Sequence, residues 1–394
     1  MYSEMTMQEL YDRVKADAER ARDVIAPSNA LALALSRDAS ADTEHQKGSR
    51  LLVQSAGSFA YRYPVAAYLN ETAEDQLAYR LGIPPAYFRR MKASDANALS
   101  DDASLSDKGL LIENCLHWMA TEPRQYMLRT MAPRNDAGET VCRAILSDRY
   151  LRVDNLPVLQ AAALGMERAK AATGERIELL SSGLTDKRMY VTMLFPNRSI
   201  DLGTPDKPDM HRPGFTIKNS ETGFGAMGIY AFLYRDRCTN GMIFGKNELM
   251  GFERRHVGRV REEGVMSPET HQKLLELIES QTTDVVRAML DPRQLESLVR
   301  PLREARESGP VRNAFAAFQE LARVVDIRGD EREAALEHFI RDADYSRFGM
   351  AQAVTRLANA ERSYERTVEL AEAGADVINL PRRKWERIAL AEAA

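Results

Sequence analysis

Residues 214–244, GFTIKNSETGFGAMGIYAFLYRDRCTNGMIF, contain two apolar runs joined by a glycine-rich turn. The second run alternates so that both faces of a strand are apolar, with Met227, Ile229, Ala231 and Leu233 on one face and Tyr230, Phe232 and Tyr234 on the other. Two apolar faces are typical of a central strand that is covered on both sides. The Asn240-Gly241 pair that follows has the composition of a tight turn. The stretch therefore predicts a β-hairpin at the centre of the fold.

Further strand pairs are predicted before this hairpin, because residues alternate over 125–130, 141–146, 176–181 and 189–195. Apolar residues recur at helical spacing over 5–25, and everything beyond Ser267 reads as helix. We therefore predict an α+β fold, with a central, mostly antiparallel β-sheet flanked by N-terminal helices and an all-helical C-terminal region. The predicted regions are 1–122, mainly helical; 123–264, a basic antiparallel β-sheet core; and 265–394, helical.

Capping and breaking residues indicate several helix ends. Thr72 is predicted to cap a helix that ends at Gly82, and Pro84-Pro85 opens the next helix. This outline fits a plain helical hairpin and also a helix-turn-helix that would read DNA. In the C-terminal region a helix break is predicted at Pro301, and the last long helix is predicted to end at Gly374.

Charge is unevenly distributed along the chain. The formal net charge is −4 overall, but it is −3 over 1–138, +5 over 139–261 and −6 over 262–394. The hydrophobic content of 44% and the charged content of 28% are ordinary for a folded, soluble protein. The basic middle region indicates an anionic partner such as a nucleic acid, or else a solvated sheet face that happens to be basic.

The cysteines and the N-terminus bear on location. Cys115, Cys142 and Cys238 are odd in number and have no C-x-x-C spacing, which argues against a disulfide framework or a zinc site and favours a reducing compartment. The N-terminus is charged throughout, unlike a signal peptide. The nearby apolar run at 30–35 is far shorter than the roughly 20 residues that span a bilayer. We predict a protein of a reducing, cytosolic compartment with no membrane partner.

Sequence motifs for familiar enzyme chemistry are missing. Residues 241–246 resemble a phosphate-binding loop, but the glycines are one residue too close and Asn247 replaces the expected Ser or Thr. No G-x-G-x-x-G opens a predicted helix after a strand, and there is no nucleophile elbow. The six histidines are scattered, with no i,i+3 or i,i+4 pair. The sequence predicts no cofactor, no metal and no catalytic residue, and it favours a protein that is not an enzyme.

Polar clusters lie where predicted strands end, at 147–150, 218–221 and 235–240. Arginine and lysine neutralise phosphates, asparagine and serine add directional hydrogen bonds, and tyrosine offers a stacking face. The predicted nucleic-acid-binding residues are Arg143, Arg149, Tyr150, Arg152, Lys187, Arg188, Lys218, Asn219, Ser220, Arg235, Arg237, Asn240, Arg254 and Arg255. The alternative is that pairs such as Arg149 with Asp148 and Arg237 with Asp236 fix the fold below a buried turn.

These clusters also resemble a known family. The motifs, in order, are Leu81-Gly82-Ile83-Pro84 with Tyr87, the 127–130 strand, the 143–150 strand end with Asp154-Asn155, Asn219-Ser220, Arg237-Cys238-Thr239-Asn240, and 352–355. Together they resemble the phage/plasmid-like family of unknown function found on bacterial mobile elements. The resemblance runs from about residue 73 to residue 355 and departs from the family at Gln352, where asparagine is expected. It implies a phage or plasmid gene product acting in the bacterial cytoplasm, and it implies no particular activity.

Three functions remain open at this stage. The first is a non-enzymatic protein that binds nucleic acid, expected to be single-stranded DNA, through a basic central sheet, with the acidic helical ends serving homo-oligomer or partner contacts. The second is a structural or partner-binding protein acting on a host protein, for example against a host defence, in which the polar clusters are internal. The third is a nucleotide-directed enzyme that uses carboxylates such as Asp148, Asp154 or Glu221.

Overall fold

The computed structural model describes residues 5–35, 49–53, 66–94, 106–133, 140–204, 206–236, 240–244, 252–254 and 268–392. In these ranges the helices are α1 Met7–Arg20, α2 Glu71–Arg80, α3 Pro85–Ala93, α4 Asp107–Thr121, α5 Asn155–Thr173, α6 Pro268–Leu290, α7 Pro292–Arg306, α8 Ala314–Leu321, α9 Gly329–Asp342, α10 Arg347–Arg356, α11 Tyr364–Ile378 and α12 Arg382–Ala389. The strands are β1 Ala21–Pro27, β2 Leu31–Leu35, β3 Ser49–Val53, β4 Ala66–Leu69, β5 Gln125–Met131, β6 Thr140–Ser147, β7 Glu178–Leu184, β8 Met189–Leu194, β9 Ile200–Asp201, β10 Met210–Asn219, β11 Met227–Arg235, β12 Asn240–Phe244 and β13 Phe252–Arg254. The predicted α+β fold class is confirmed.

The larger sheet, here called the central sheet, is built around the predicted hairpin. Its strands run in the order β12-β11-β10-β8-β7, with β9 beside β10 and β13 beside β11. All its pairings are antiparallel, and Phe215 of β10 lies opposite Ala231 of β11. Residues 227–233 of β11 are all buried. One face joins the main core with α5 and α6, while Phe232 on the other face packs with Val368 of α11. The predicted burial of both faces is confirmed.

A second sheet, the N-terminal sheet, has the strand order β1-β5-β6-β4-β3-β2. Its pairings are antiparallel except for β4 and β6, which run parallel. One face packs against α2, α3 and α4 around Leu77, Phe88 and Leu111. The other face carries a smaller cluster of Met127, Ala144 and Leu146. The N-terminal part of the chain therefore forms a sheet of its own, covered on one face by helices.

The helices after α5 cover the central sheet on both faces. Helix α6 packs along α5 on one side, and α11 packs on the other side beside α10 and β12. None of the helices within the described ranges combines the length and the apolar character that crossing a membrane requires.

Two predicted helix boundaries at the N-terminal end are wrong. The helix predicted over 5–25 ends at Arg20, because the following residues, which include Val24 and Ile25, pair with β5 as strand β1. The cap of α2 is Asn70, whose side chain accepts a hydrogen bond from the backbone N–H of Ala73, rather than Thr72. The helix therefore ends early because the next residues pair with a strand about a hundred positions away in the sequence.

Three predicted breaks fall inside regular elements. Asn240-Gly241 begins strand β12, because these residues pair with Arg235 and Tyr234 of β11. A Cβ on Gly241 would lie 2.2 Å from a ring carbon of Phe232, so glycine is required there for packing and not for a turn. Pro301 lies within α7, and Gly374 lies within α11. The turn predicted at 240–241, the break predicted at Pro301 and the helix end predicted at Gly374 are therefore wrong.

Candidate functional site

The loop between β10 and β11 is held by internal hydrogen bonds that involve two of the predicted site residues. The Ser220 hydroxyl donates to the carbonyl oxygen of Lys187 at 2.7 Å and accepts from the backbone N–H of Phe224 at 2.9 Å. The Tyr150 hydroxyl donates to the carbonyl oxygen of Ser220 at 2.8 Å, and burial raises the pKa of Tyr150 above its usual value. Ser220 therefore fixes this loop against the β7–β8 connection, and Tyr150 fixes it against the residues that follow β6.

The predicted residue Asn219 is fully buried in the same place. Its amide nitrogen donates to the carbonyl oxygen of Val153 and to the Asn155 side-chain oxygen, both at 2.8 Å. These bonds join the end of β10 to the start of α5. Asn219 thus belongs to the internal network that the alternative interpretation of the polar clusters expects.

Glu221 is the acidic centre of the contact between the two sheets. Its carboxylate accepts from Arg143 of β6 at 2.9 Å and from the backbone N–H of Asn155 at 2.7 Å. Its carbonyl oxygen accepts from Arg129 of β5 at 3.0 Å. Arg129 is only 1% exposed and also contacts Asp154 at 2.6 Å and Asp23 at 3.3 Å. Since Asp154 and Glu221 are both ion-paired, they act here as structural anchors between the sheets.

Beside this contact lies an open cavity of about 270 Å³, here called the junction cleft. Among the residues that line it are five cations and three carboxylates: Arg13, Arg20, Arg143, Lys187 and Arg188, with Asp17, Asp186 and Glu221. Tyr68 and Asn70 also line it. The Nε atom of Arg143 is buried and has no hydrogen-bond partner among the described residues. The cleft therefore combines an excess of two positive charges with an unused donor.

The cations of the junction cleft differ in how firmly they are held. Arg20 and Arg13 both contact Asp17, at 2.6 and 3.4 Å, and Arg188 contacts Glu365 at 2.9 Å. Lys187 is exposed, makes no ion pair within the described part of the chain, and has its Nζ 5.1 Å from the centre of the Phe224 ring. Lys187 is thus the cation most available to an incoming anion.

Other predicted site residues lie away from the junction cleft. Lys218 is ion-paired with Glu372 of α11, and its Nζ lies 4.5 Å from the Tyr230 ring centre. Arg152, half exposed, pairs with Asp23 at 3.2 Å, and Arg149 is exposed without an ion pair in the described ranges. Three predicted residues cannot be placed: Arg237 and Arg255 lie outside the described residues, as does the side chain of Arg254.

Arg235 and Asn240 lie at the opposite end of β11, against α10. Arg235 contacts Asp209 at 2.7 Å and the Gln352 side-chain oxygen at 3.3 Å. The Asn240 amide donates to Gln352 and to the Thr355 hydroxyl. The 11 predicted residues that can be placed are therefore not gathered in one site, and Arg143, Lys187 and Arg188 are those that line the junction cleft.

Sequence reasoning missed Arg13 and Arg20 as members of a basic site. Both lie on the polar side of an amphipathic helix, and more than 100 residues separate them from Arg143. A polar helix face is usually only solvated, so its composition gives no signal of a cleft. Their place in the site follows from the packing of α1 against α5 and β7.

Next to Arg235, His211 gives the protein a predicted dependence on pH. Its Nδ1 lies 2.9 Å from the Asp209 carbonyl oxygen, and burial lowers the pKa of His211 below the usual 6.5, with Arg235 and Arg306 adding to the effect. As pH falls below about 6.5, His211 takes up a proton in the unfolded chain but stays neutral in the folded chain. The free energy of unfolding therefore decreases as the pH falls from about 6.5 to the lowered pKa of His211 in the folded state. We expect the free energy of unfolding to fall from pH 7 to about pH 5, with a smaller slope in His211→Gln.

Urea denaturation at a series of pH values measures this slope. His117→Gln, at an exposed position on α4, is the matched control and should keep the slope of the parent protein. An identical slope in His211→Gln and the parent protein would contradict the prediction.

The comparison with known families matches residues 144–377 to a domain of unknown function, DUF932, which covers more than half of the chain. The chain belongs to the DUF932 family. The predicted resemblance to a family of unknown function is confirmed to that extent. Neither the curated proteins nor the solved structures gave a match. The DUF932 region supplies Lys187, Arg188 and Glu221 to the junction cleft, whereas Arg13, Arg20 and Arg143 come from residues before it.

Proposed function

We propose that this DUF932 protein binds single-stranded nucleic acid in the junction cleft, and that the ligand is single-stranded DNA handled by a phage or plasmid. The observation that carries the proposal is the gathering of five cations against three carboxylates in one cavity. The phage or plasmid context rests on the family resemblance of the sequence motifs. The basic surface of this proposal is the cleft between the sheets, since the faces of the central sheet itself are covered by helices.

The chemistry of the junction cleft suits a flexible strand better than a duplex. Lys187, which is exposed and has no ion pair in the described ranges, offers a contact to phosphate oxygens. Phe224, held below Lys187, and Tyr68 in the cleft wall provide aromatic rings near the cations of the cleft. Base stacking on an aromatic ring contributes roughly 1–3 kcal/mol per base and tolerates any sequence. A cavity of about 270 Å³ is comparable in volume with one unpaired nucleotide and is too small for a rigid double helix.

The test is fluorescence anisotropy of labelled single-stranded and duplex oligonucleotides at several salt concentrations. Lys187→Glu is expected to weaken single-strand binding by roughly tenfold at low salt and to reduce the slope of log K against log[salt] by about 0.7. Lys187 is exposed and pairs with no carboxylate in the described ranges, so the exchange should leave folding intact. The matched control is Lys384→Glu on α12, the same charge change at another exposed position, and it should bind like the parent protein.

Two results would contradict the proposal. One is the absence of single-strand binding by the parent protein at low salt. The other is equal weakening by Lys187→Glu and Lys384→Glu, which would show that binding responds to overall charge and not to the cleft. Either result would favour the alternative function, binding to a host protein. That partner and homo-oligomer formation both stay predictions from the sequence.

A further inference from the structure

A second cavity, of about 370 Å³, lies at the other end of β11 and is distinct from the junction cleft. It is lined by Asp209, Arg235 and Gln352, by Arg306 of α7, and by residues at the end of α9 and on α10. The complete lining is Lys207, Pro208, Asp209, Arg235, Arg306, Arg341, Asp342, Asp344, Gly349, Gln352 and Arg356, and we call this cavity the arginine pocket. Apart from Pro208 and Gly349, every one of these lining residues has a charged or polar side chain.

The charge in the arginine pocket is fixed by one shared carboxylate. Asp209, 4% exposed at its side chain, accepts from both Arg235 and Arg306. Burial alone would raise the pKa of Asp209. The hydrogen bond from Arg235 and the charges of Arg235, His211 and Arg306 outweigh burial, so the pKa of Asp209 lies below its usual value. The carboxylate is therefore ionised at neutral pH and can neutralise only one of its two arginines.

The two arginines are also held in position by an aromatic ring. The guanidinium carbon of Arg306 lies 4.1 Å from the centre of the Phe348 ring, and that of Arg235 lies 5.9 Å from it. The Nε of Arg306 is buried and has no hydrogen-bond partner in the described part of the chain. The ring contacts and the shared Asp209 carboxylate restrict the conformations of the two arginine side chains. Binding of a ligand therefore costs less conformational entropy.

Further cations lie at the edge of the arginine pocket. Arg356 is paired with Asp342 at 2.9 and 3.0 Å, whereas Lys207 is exposed and makes no ion pair with a described carboxylate. Arg341, also exposed, contacts the ring of His338. The five cations of the lining face three carboxylates, so the pocket has an excess of two positive charges.

We propose that the arginine pocket binds a small phosphate ester with a hydrophilic body, such as a sugar phosphate. An excess of two positive charges matches a phosphate monoester, which carries a charge between about −1.5 and −2 at pH 7. Planar guanidinium groups donate paired hydrogen bonds to phosphate oxygens. The volume exceeds that of a phosphate group alone, and the predominantly polar lining, which contains no aromatic side chain for stacking, favours a body rich in hydroxyl groups over a nucleobase.

The proposal is tested by isothermal titration calorimetry of the full chain with glucose 6-phosphate, inorganic phosphate and glucose. We expect glucose 6-phosphate to bind, glucose not to bind, and inorganic phosphate to bind about fivefold more weakly, the equivalent of one lost hydrogen bond to the body of the ligand. No heat with glucose 6-phosphate at millimolar concentrations, or equal affinity for inorganic phosphate, would overturn it.

Two exposed residues allow the pocket to be tested without risk to the fold. Lys207→Gln and Arg341→Gln are each expected to weaken glucose 6-phosphate binding about fivefold, and Arg306→Gln at least about tenfold. Lys384→Gln, outside the pocket, is the control and should bind like the parent protein. Unchanged affinity in both Lys207→Gln and Arg341→Gln would refute the assignment even if Arg306→Gln fails to fold.

The outcome does not depend on the nucleic-acid proposal. Lys187→Glu should leave glucose 6-phosphate binding unchanged, and Lys207→Gln should leave oligonucleotide binding unchanged, because the two residues line different cavities. If glucose 6-phosphate does not bind and Lys207→Gln weakens oligonucleotide binding instead, the arginine pocket contacts a nucleic-acid backbone and the small-ester proposal is wrong.

Discussion

Arg129→Met is expected to lower the free energy of unfolding by about 3 kcal/mol, because it leaves buried and half-buried carboxylates without their cation. Arg129 is 1% exposed and contacts Asp154, Asp23 and the Glu221 carbonyl oxygen, so a single side chain joins β1, β5, α5 and the loop after β10. Breaking a buried ion pair by removing one partner typically costs about 3–5 kcal/mol. The lower value applies here because Asp154 is partly exposed and Asp23 keeps Arg152.

Urea denaturation followed by circular dichroism measures this loss. Arg124→Met is the matched control: Arg124 lies just before the same strand, is more than half exposed, and pairs with Glu122 at 3.0 Å. Exposed pairs contribute at most about 1 kcal/mol, so the control should differ little from the parent protein. Equal effects of the two substitutions would show that Arg129 does not hold the two sheets together.

Gly165→Leu is expected to destabilise the protein by about 3 kcal/mol, because α5 and α6 touch at this glycine. A Cβ atom built on Gly165 would lie 2.5 Å from the Glu279 carbonyl oxygen and 2.6 Å from the Thr282 Cβ. The first contact is with helix backbone, so a larger side chain must push the two helices apart. The hydrogen bond from the Thr283 hydroxyl to the Gly165 carbonyl oxygen, at 3.1 Å, would be broken by the same movement.

Comparison of a small and a large side chain at position 165 tests whether steric contact causes the loss of stability. Gly165→Ala should cost less than Gly165→Leu, since only one methyl group has to be accommodated. Gly329→Leu is the control, because Gly329 begins α9 and no atom from another described part of the chain lies within 4 Å of its added Cβ. If Gly165→Leu unfolds at the same urea concentration as Gly329→Leu, close packing of α5 on α6 is not required for stability.

The part of the fold that the sequence predicted best is the part where burial follows local periodicity. Alternation in 227–233 was sufficient to place β11 in the core with both faces covered. Where distant residues decide, local signals failed. Gly374 looks like a helix end, yet in the structure it allows α11 to approach α10, since a Cβ there would lie 2.0 Å from the Thr355 side chain. Pro301 is accommodated within α7 for a reason that the contacts of the described residues do not reveal.

The candidate site shows the same division. The sequence identified strand ends rich in arginine, lysine and asparagine, and three of these residues line the junction cleft. It had no means to distinguish a free cation from a paired one, because the partners come from distant elements. Lys218 meets Glu372, 154 residues away, whereas Lys187 meets no described carboxylate. Pairing depends on tertiary packing, and residue type alone does not encode it.

The hydrogen bonds that Arg129 and Arg143 donate to Glu221 bear on the choice of fragments for experiments. The stretch matched to DUF932 starts at Ala144, in the middle of strand β6, and leaves out β5, Arg129 and Arg143. A fragment limited to the matched stretch would keep Glu221 but lose both of its arginines, and it would expose Leu146 where β5 now pairs. The stretch defined by sequence similarity is therefore smaller than the set of strands and ion pairs that surrounds Glu221 in this chain. A fragment made for study of this protein should retain β5 and the whole of β6.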